Sequence, residues 1–448
     1  MIFRSLPHPS PDAMHQDSLA VSKFGLISFR FAFIYFLIYF NPLIYFNAVP
    51  GLYWIPQLAI LPFDALTFFL NDHLFQIRPQ LNQMGGGSGD TSFAWAQVAT
   101  FLTIAGVGAL IWSVLEWKKR NYLTLHYWLC LILRYSLAGI AFSYGILKVF
   151  AMQMYFPNLS QLATPLGDYL PMRLSWMFIG YSEPYQIFSG VAEVMVALLL
   201  IWRRTALLGA LMAVGVFANV VMLNLSFDIP VKIYSIHLLI ASMFLVWQER
   251  ERLFAFFILN KSVLPATLYE KKMVERWQKT GRFVLKVAFF LSSFCYTTYN
   301  YYNYFVQYHT DVSKVLEPIQ PGIYHVELFV KNGDTIPESL VDSLRWRDVI
   351  FDYNGAGSLA ANDSSLRMRY GRAYFNYLPD SLGKQVEWRV MNWDSLPAAT
   401  FAMDFPSEDR MILSGEKGGD SLHLVLKKLK RHFPLTERQF HWISESNR

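Results

Sequence analysis

Charged side chains interrupt long apolar runs between Leu125 and Trp247 of this chain. Arg134 and Lys148 lie in one run, and Glu193 lies in the middle of the next. An ionisable group at the depth of a bilayer costs about 2.5–3.5 kcal/mol on insertion scales, so it usually faces the interior of a helical bundle and often marks a functional site. The pattern therefore predicts an all-α membrane bundle with a polar site among its helices.

Seven segments are predicted to be transmembrane helices from their length and apolar composition. They cover residues 24–46, 93–116, 126–150, 184–202, 205–226, 232–247 and 283–305. Lys and Arg are concentrated after the second, fourth and sixth segments, and the positive-inside rule places those loops and the N-terminus in the cytoplasm. Seven crossings then place the C-terminal domain in the periplasm, with the bundle in a bacterial inner membrane.

Three connecting stretches are predicted to be more than plain loops. Residues 51–75 are apolar but contain Pro56 and Pro62, which favours an interfacial or re-entrant segment on the outer face over an eighth crossing. The sequence GGGSGD at 85–90 predicts a flexible link. Residues 157–183 are rich in proline and aromatic residues and predict an ordered lid over the outer ends of the bundle.

The pattern changes after Asp311, where short runs rich in aromatic and β-branched residues alternate with turn formers such as NGD and EKGGD. This is typical of a small antiparallel β domain, either a barrel or a sandwich. The predicted domains are a disordered cytoplasmic N-terminus (1–23), two transmembrane helices with the interfacial segment (24–124), a four-helix membrane core (125–250), a cytoplasmic amphipathic segment (251–282), a seventh transmembrane helix (283–310) and a periplasmic β-rich domain (311–448).

Composition narrows the classes of function. The net charge of +6 belongs to the apolar part of the chain, since the part after Asp311 is slightly acidic. Basic loops beside a bilayer explain this better than nucleic-acid binding does. The only cysteines, Cys130 and Cys295, lie in apolar runs without a CxxC motif, which excludes a disulfide-stapled exterior. The sequence has no haem, metal or nucleotide motif, so no cofactor is assigned from the residues.

Helical spacing predicts three polar or small-residue faces that meet inside the bundle. They are Arg134, Ala138, Ala141, Gly145 and Lys148 in the third segment; Gln186, Gly190, Glu193 and Ala197 in the fourth; and Gly215, Asn219, Met222 and Ser226 in the fifth. We expect Glu193 to be compensated by Lys148 from the outer side or by Arg134 from the inner side.

The predicted polar pocket extends to the outer mouth of the bundle. Its candidate residues are Lys148, Glu193, Arg134, Asn219, Asn224, Asp228, Lys232 and His237. The structural alternative is that Lys148 reaches the interface while Glu193 only holds the bundle together. For His237, a hydrogen-bonded core histidine is favoured over a ligand. A bis-histidine haem would need a partner at similar depth, and His126 lies near the opposite face. No catalytic residue is assigned.

Two stretches carry a resemblance to a known family. RYSLAGIAFSYGILKVF and GVAEVMVALLLIWRRTALLGALMAVGVFANVV resemble the DoxX superfamily of small four-helix membrane proteins. Lys148, Glu193, Arg204 and Thr205 fall on matching points, and the resemblance covers about residues 125–250. Members are associated with quinone-linked respiratory or thiosulfate oxidation and with membrane redox complexes. The resemblance thus implies a quinone or similar lipid-soluble ligand in the pocket, and a protein partner recruited through the periplasmic domain.

Two other hypotheses stay open. In one, the chain is an assembly or scaffold subunit without chemistry of its own, and the buried charges are structural. In the other, the position of Lys148, at the outer end of a span and beneath a Trp-containing lid, resembles a feature of the membrane domain of vitamin K-dependent carboxylases. That similarity implies a lysine-based membrane enzyme.

Overall fold

The computed structural model describes residues 22–48, 51–84, 86–264, 269, 271, 273–311, 313–339, 344–361, 371–390, 399–438 and 440–445. The chain forms two compact units. The helical unit comprises Met1–Val149 and Ile187–Asn300, and the barrel unit comprises Phe150–Gln186 and Tyr301–Arg448. The N-terminal segment predicted to be disordered lies almost entirely outside the described residues.

The α-helices, in chain order, are α1 (Lys23–Tyr39), α2 (Trp54–Leu70), α3 (Ser92–Leu115), α4 (Leu123–Val149), α5 (Leu159–Leu162), α6 (Pro171–Tyr181), α7 (Glu183–Ile201), α8 (Ala206–Ser226), α9 (Lys232–Trp247), α10 (Arg250–Phe257), α11 (Arg276–Phe290), α12 (Thr297–Asp311) and α13 (Pro434–Glu437). A 3-10 helix, Pro42–Ala48, follows α1, and π-helical turns, Asn71–Phe75 and Leu291–Tyr296, follow α2 and α11.

Six helical segments among the described residues are long and apolar enough to cross a membrane. They are Lys23–Asn47, Trp54–Phe75, Ser92–Leu115, Leu123–Val149, Glu183–Ile201 and Ala206–Ser226. Five of them match predicted spans, and α9 is a shorter apolar helix. The set differs from the seven predicted spans at three places. It includes Trp54–Phe75, and it omits both α9 and residues 283–305, in which a π-helical turn separates α11 from the Tyr- and Asn-rich α12.

Helix α1 runs antiparallel to α3. Arg30 Nη1 donates to Ser113 Oγ at 2.8 Å, whereas Ile34, one turn later, lies against Gly108, one turn earlier in α3. The contacts of α1 therefore fall on the C-terminal half of α3.

Helix α2 also runs antiparallel to α3, but along its N-terminal half. Gln97 Nε2 donates to Asp64 Oδ1 at 3.0 Å, and the rings of Phe68 and Phe93 lie 5.3 Å apart. Because both helices oppose α3, α1 and α2 run in the same direction. They do not form the hairpin that an additional crossing directly after α1 would need.

The core of the helical unit is formed by leucines and small residues at helical spacing. On α4, Leu129, Leu133 and Leu137 are fully buried, as are Ala138 and Ala141 after them. They pack with buried residues of neighbouring helices, namely Phe36, Phe101, Val196, Ala197, Leu200, Ala210, Ala213 and Leu238. Small residues bring the helix backbones close together, which supplies the van der Waals contact that holds helices together in a membrane.

The stretch predicted to be a flexible link is anchored at its C-terminal end. Gly89 N donates to Pro230 O at 2.8 Å, and the Asp90 carboxylate accepts the backbone N–H groups of Lys232 and Ile233 at 2.8 and 3.0 Å. Those N–H groups open α9 and lack partners within the helix, so Asp90 acts as a cap from a distant part of the chain. Residues 89 and 90 are therefore held in place and are not part of a flexible link.

The C-terminal domain is a closed antiparallel barrel, one of the two architectures predicted. Its strands are β1 (Gly322–Lys331), β2 (Asp334–Thr335), β3 (Trp346–Phe351), β4 (Ala356–Ala361), β5 (Ala373–Pro379), β6 (Gln385–Val390), β7 (Ala399–Ser407), β8 (Arg410–Lys417) and β9 (Asp420–Leu429). Consecutive strands from β3 to β9 pair in order, β1 pairs with both β3 and β9, and β2 pairs with β1. The interior is filled by buried aromatic and aliphatic side chains, such as Phe329, Phe351, Trp388, Phe401 and Leu424.

The segment predicted to be a lid over the bundle packs against the barrel within the barrel unit. Leu159 N donates to Asp352 Oδ2 at 3.0 Å, and Ser358 Oγ donates to Ser160 Oγ at 2.8 Å. Arg372 Nε donates to Ser358 Oγ at 2.8 Å and completes this buried network. Burial raises the pKa of the Asp352 carboxyl group. Buried, mutually satisfied polar groups fix the segment in one position on the barrel.

Candidate functional site

Helices α4 and α7 cross at two glycines. A Cβ atom added to Gly145 would lie 2.8 Å from Gly190 O, and one added to Gly190 would lie 2.7 Å from Lys148 Cβ. Only glycine allows backbones to approach this closely. The two faces predicted from helical spacing therefore do meet.

The close crossing brings the two predicted charges together. Lys148 Nζ lies 2.7 Å from Glu193 Oε1 and 2.6 Å from Oε2, with side chains 11% and 5% exposed. The structure thus confirms the pairing of Lys148 with Glu193. An ammonium group carries three N–H donors, and among the described residues only the two Glu193 oxygens accept hydrogen bonds from this one. The Tyr144 ring lies 5.8 Å from Nζ.

Arg134 is not a partner of Glu193. Its guanidinium group donates to the carbonyl oxygens of Leu200 and Ile201 at 2.9 to 3.1 Å. These carbonyls end α7, where unsatisfied oxygens and the helix dipole favour a cation. Arg134 therefore caps the C-terminal end of α7. It lies at the opposite end of the α4 face from Lys148.

His237 has a hydrogen-bond partner at each ring nitrogen. Its Nδ1 lies 2.6 Å from Ile233 O, which can only accept, so Nδ1 carries the proton. Nε2 then accepts from Tyr35 Oη at 2.5 Å, and the Tyr39 ring stacks on the imidazole at 3.8 Å. This is a satisfied core histidine. The part of the chain that the structure describes contains no group of three or more His, Cys, Asp or Glu residues able to hold a metal ion.

The remaining candidates form a separate group near the connection between α8 and α9. Lys232 Nζ contacts Asp228 Oδ1 at 2.7 Å and Asp90 Oδ2 at 3.6 Å. Asn224 Nδ2 donates to Ser235 Oγ at 2.9 Å. Asp228 is exposed, so this group is open to its surroundings, unlike the pair between α4 and α7.

Asn219 does not join the polar residues. It lies on an exposed face of α8 together with Gly215, Met222 and Ser226, whereas Ala213, Phe217 and Val221 are buried. The prediction that Asn219 faces into the bundle is therefore wrong. Helical spacing identified residues that share a face, but α8 is apolar on most sides and its pattern did not reveal which face packs inward.

Sequence reasoning missed another buried cation of the helical unit, Arg30 of α1, which is 3% exposed. It donates to Tyr122 Oη at 2.8 and 2.9 Å and to Glu116 O at 3.0 Å, in addition to Ser113. Tyr122 in turn donates to the Glu116 carboxylate at 2.5 Å. The signal was present, since Arg30 lies in the first apolar run, as Arg134 does in the third. An open cavity of about 330 Å³ lies beside this cluster at residues 114–119, and no predicted site residue lines it.

The fold and the site define a class of protein in which a bundle of apolar, membrane-length helices with a buried Lys–Glu pair is joined to an antiparallel β-barrel. The chain belongs to the same family as the Uncharacterized protein YwoB of Bacillus subtilis (strain 168). The two are 33% identical over 124 residues, which is 28% of this chain and 79% of that relative. No family model matches the chain, and no solved structure matches it.

Proposed function

We propose that the chain is a DoxX-like protein of the bacterial inner membrane. Its helical unit binds a small lipid-soluble ligand, a quinone, beside Lys148 and Glu193 as part of a redox-linked membrane complex. The observation that carries the proposal is the buried ion pair between two membrane-length helices, with side chains 11% and 5% exposed. Such pairs in membrane helices mark functional sites more often than ordinary packing positions do.

The chemistry around Lys148 suits a quinone. A quinone has two carbonyl oxygens that accept hydrogen bonds and an apolar ring. The third N–H of Lys148 supplies a donor, and the ring of Tyr144, 40% exposed, supplies an aromatic surface close to it. The two contacts with Glu193 hold the ammonium group in place, which would keep the donor aimed in one direction.

The second candidate function is a scaffold subunit without chemistry. Lys148 occupies both Glu193 oxygens, and both nitrogens of His237 are used within the bundle. These contacts support a purely structural role for the polar residues, because a satisfied buried network rigidifies a core without binding anything.

Extraction of lipids from purified protein separates the two functions. If the first is correct, mass spectrometry should detect quinone at close to one equivalent per chain, well above its share of the surrounding lipid. Tyr144→Leu should lower this ratio severalfold with the ion pair intact. Tyr127→Leu, on the same helix, is the matched control and should retain the ligand. Quinone in the wild-type protein at only its bulk-lipid proportion would support the scaffold and rule out the ligand site.

The proposed orientation has the N-terminus in the cytoplasm and the barrel in the periplasm, where it would recruit a protein partner. The basic residues after α3, between α7 and α8 and after α9 support this orientation, and the shared direction of α1 and α2 fits one net crossing by the two helices.

Thiol labelling tests the orientation. In a background of Cys130→Ala and Cys295→Ala, the Ser381→Cys variant should react with an impermeant thiol reagent from the periplasmic side only. A cysteine at Lys118 should react only from the cytoplasmic side. The opposite result at either position would refute this orientation.

A further inference from the structure

Helix α6 presents its bulky apolar residues outward. Leu170, just before the helix, is 57% exposed, and Leu174 and Phe178, at successive steps of four residues, are 40% and 69% exposed. Tyr181, three residues further, is 38% exposed. These four residues form one stripe along the helix, here called the α6 stripe.

The inward face of α6 is small by comparison. Ser175, Ile179 and Gly180 are its buried residues. A Cβ atom at Gly180 would overlap the backbone carbonyl of Tyr155, so this face packs directly on the chain that follows α4. A helix on a water-exposed surface buries its large apolar residues and exposes polar ones. Helix α6 does the reverse.

The chain on either side of α6 indicates what covers the stripe. Only Ser182 separates α6 from α7, a helix long and apolar enough to cross a membrane, and α4, another such helix, ends at Val149. Exposed apolar residues also continue into the first turns of α7, at Tyr185 and Phe188. The stripe is therefore close in sequence to the membrane and continuous along the chain with residues that face it.

We propose that α6 lies in the membrane–water interface with the α6 stripe inserted among lipids, so that the barrel unit has a lipid anchor of its own. Interfacial helices place apolar residues about 5–10 Å into the boundary between headgroups and acyl chains. Tyrosine, here Tyr181, is enriched at that level, and phenylalanine and leucine are typical of the apolar face of an interfacial helix. Bulky side chains that would be unfavourable in water are then in contact with lipid.

Spin-label accessibility tests this in the full-length protein reconstituted into phosphatidylglycerol–phosphatidylethanolamine vesicles. With the native cysteines replaced as above, a nitroxide is attached at Phe178→Cys or at Leu174→Cys. We expect collisions with oxygen, which concentrates in lipid, to exceed collisions with a water-soluble nickel chelate at both positions. Leu382 is the matched control. It is an equally apolar residue of the barrel unit, 76% exposed between β5 and β6, and there the nickel chelate should dominate.

Two outcomes would overturn the proposal. Predominant access of the nickel chelate at 174 and 178 would place the stripe in water. Low access of both reagents would show that protein covers it, as in contact with a second copy of the chain. Gel filtration of each labelled variant confirms folding, and the two positions give independent readings if one variant fails to fold.

Discussion

Replacing Glu193 with glutamine should destabilise the helical unit by about 3–5 kcal/mol, because Lys148 would be left buried with no carboxylate to compensate its charge. The ammonium group lies within 2.7 Å of both Glu193 oxygens and is largely buried between α4 and α7. Lys148→Met should have a similar effect, since it leaves the carboxylate uncompensated. Thermal unfolding of the detergent-solubilised protein and the yield of folded protein measure the loss.

Glu183→Gln is the control for this prediction. Glu183 is an exposed residue in the first turn of the same helix, and it carries the same charge. Its replacement should change stability by no more than a few tenths of a kcal/mol, as is usual for exposed positions. Equal stabilities of the Glu193→Gln and Glu183→Gln variants would mean that the ion pair contributes nothing to the fold.

Replacing Gly190 with valine should be comparably damaging, with a loss of about 1–3 kcal/mol or more, because the new side chain would force the two backbones apart. The nearest obstacles are the backbone carbonyl of Gly145 and the Cβ atom of Lys148, neither of which is the end of a flexible side chain. Separation of the helices would also lengthen the Lys148–Glu193 contact.

Gly215→Val provides the matched control for this substitution. Gly215 also lies inside an apolar helix, but a Cβ atom there would meet nothing within 4 Å. Because both glycines lie inside apolar helices, the intrinsic effect of valine on helix formation is similar in the two variants. The difference between their stabilities then reports packing alone. If the two variants unfold at the same temperature, α4 and α7 do not cross as described.

Much of the α4–α7 crossing could be predicted from the sequence because two independent signals coincide there. Charged residues in an apolar run must find partners, and small residues at helical spacing allow two helices to approach. Lys148, Gly145, Gly190 and Glu193 carry both signals. Asn219 carries a weaker signal, because an uncharged amide is less costly to leave on an exposed face than a charged group. In the structure Asn219 lies on the exposed side of α8.

Other features depend on contacts between distant parts of the chain, which no local pattern reveals. The barrel was predictable from alternating short strands, but its attachment to residues 157–183 rests on contacts such as Ser160 with Ser358, 198 residues apart. The cap that Asp90 provides to α9 spans 142 residues and was hidden behind a glycine-rich stretch that favours flexibility. The Tyr35–His237 contact likewise joins α1 to α9 across 202 residues.

Comparing the Lys148→Met/Glu193→Gln double variant with the two single variants tests the ion pair and the ligand site together. Removing both charges leaves no unpaired charge, so the double variant should regain part of the folded yield that each single variant loses. Quinone extracted per folded chain should nevertheless fall at least tenfold, because the donor that holds the ligand is gone. Simple additivity of the two losses in stability would contradict the pairing, and a double variant that retains its quinone would contradict the ligand site.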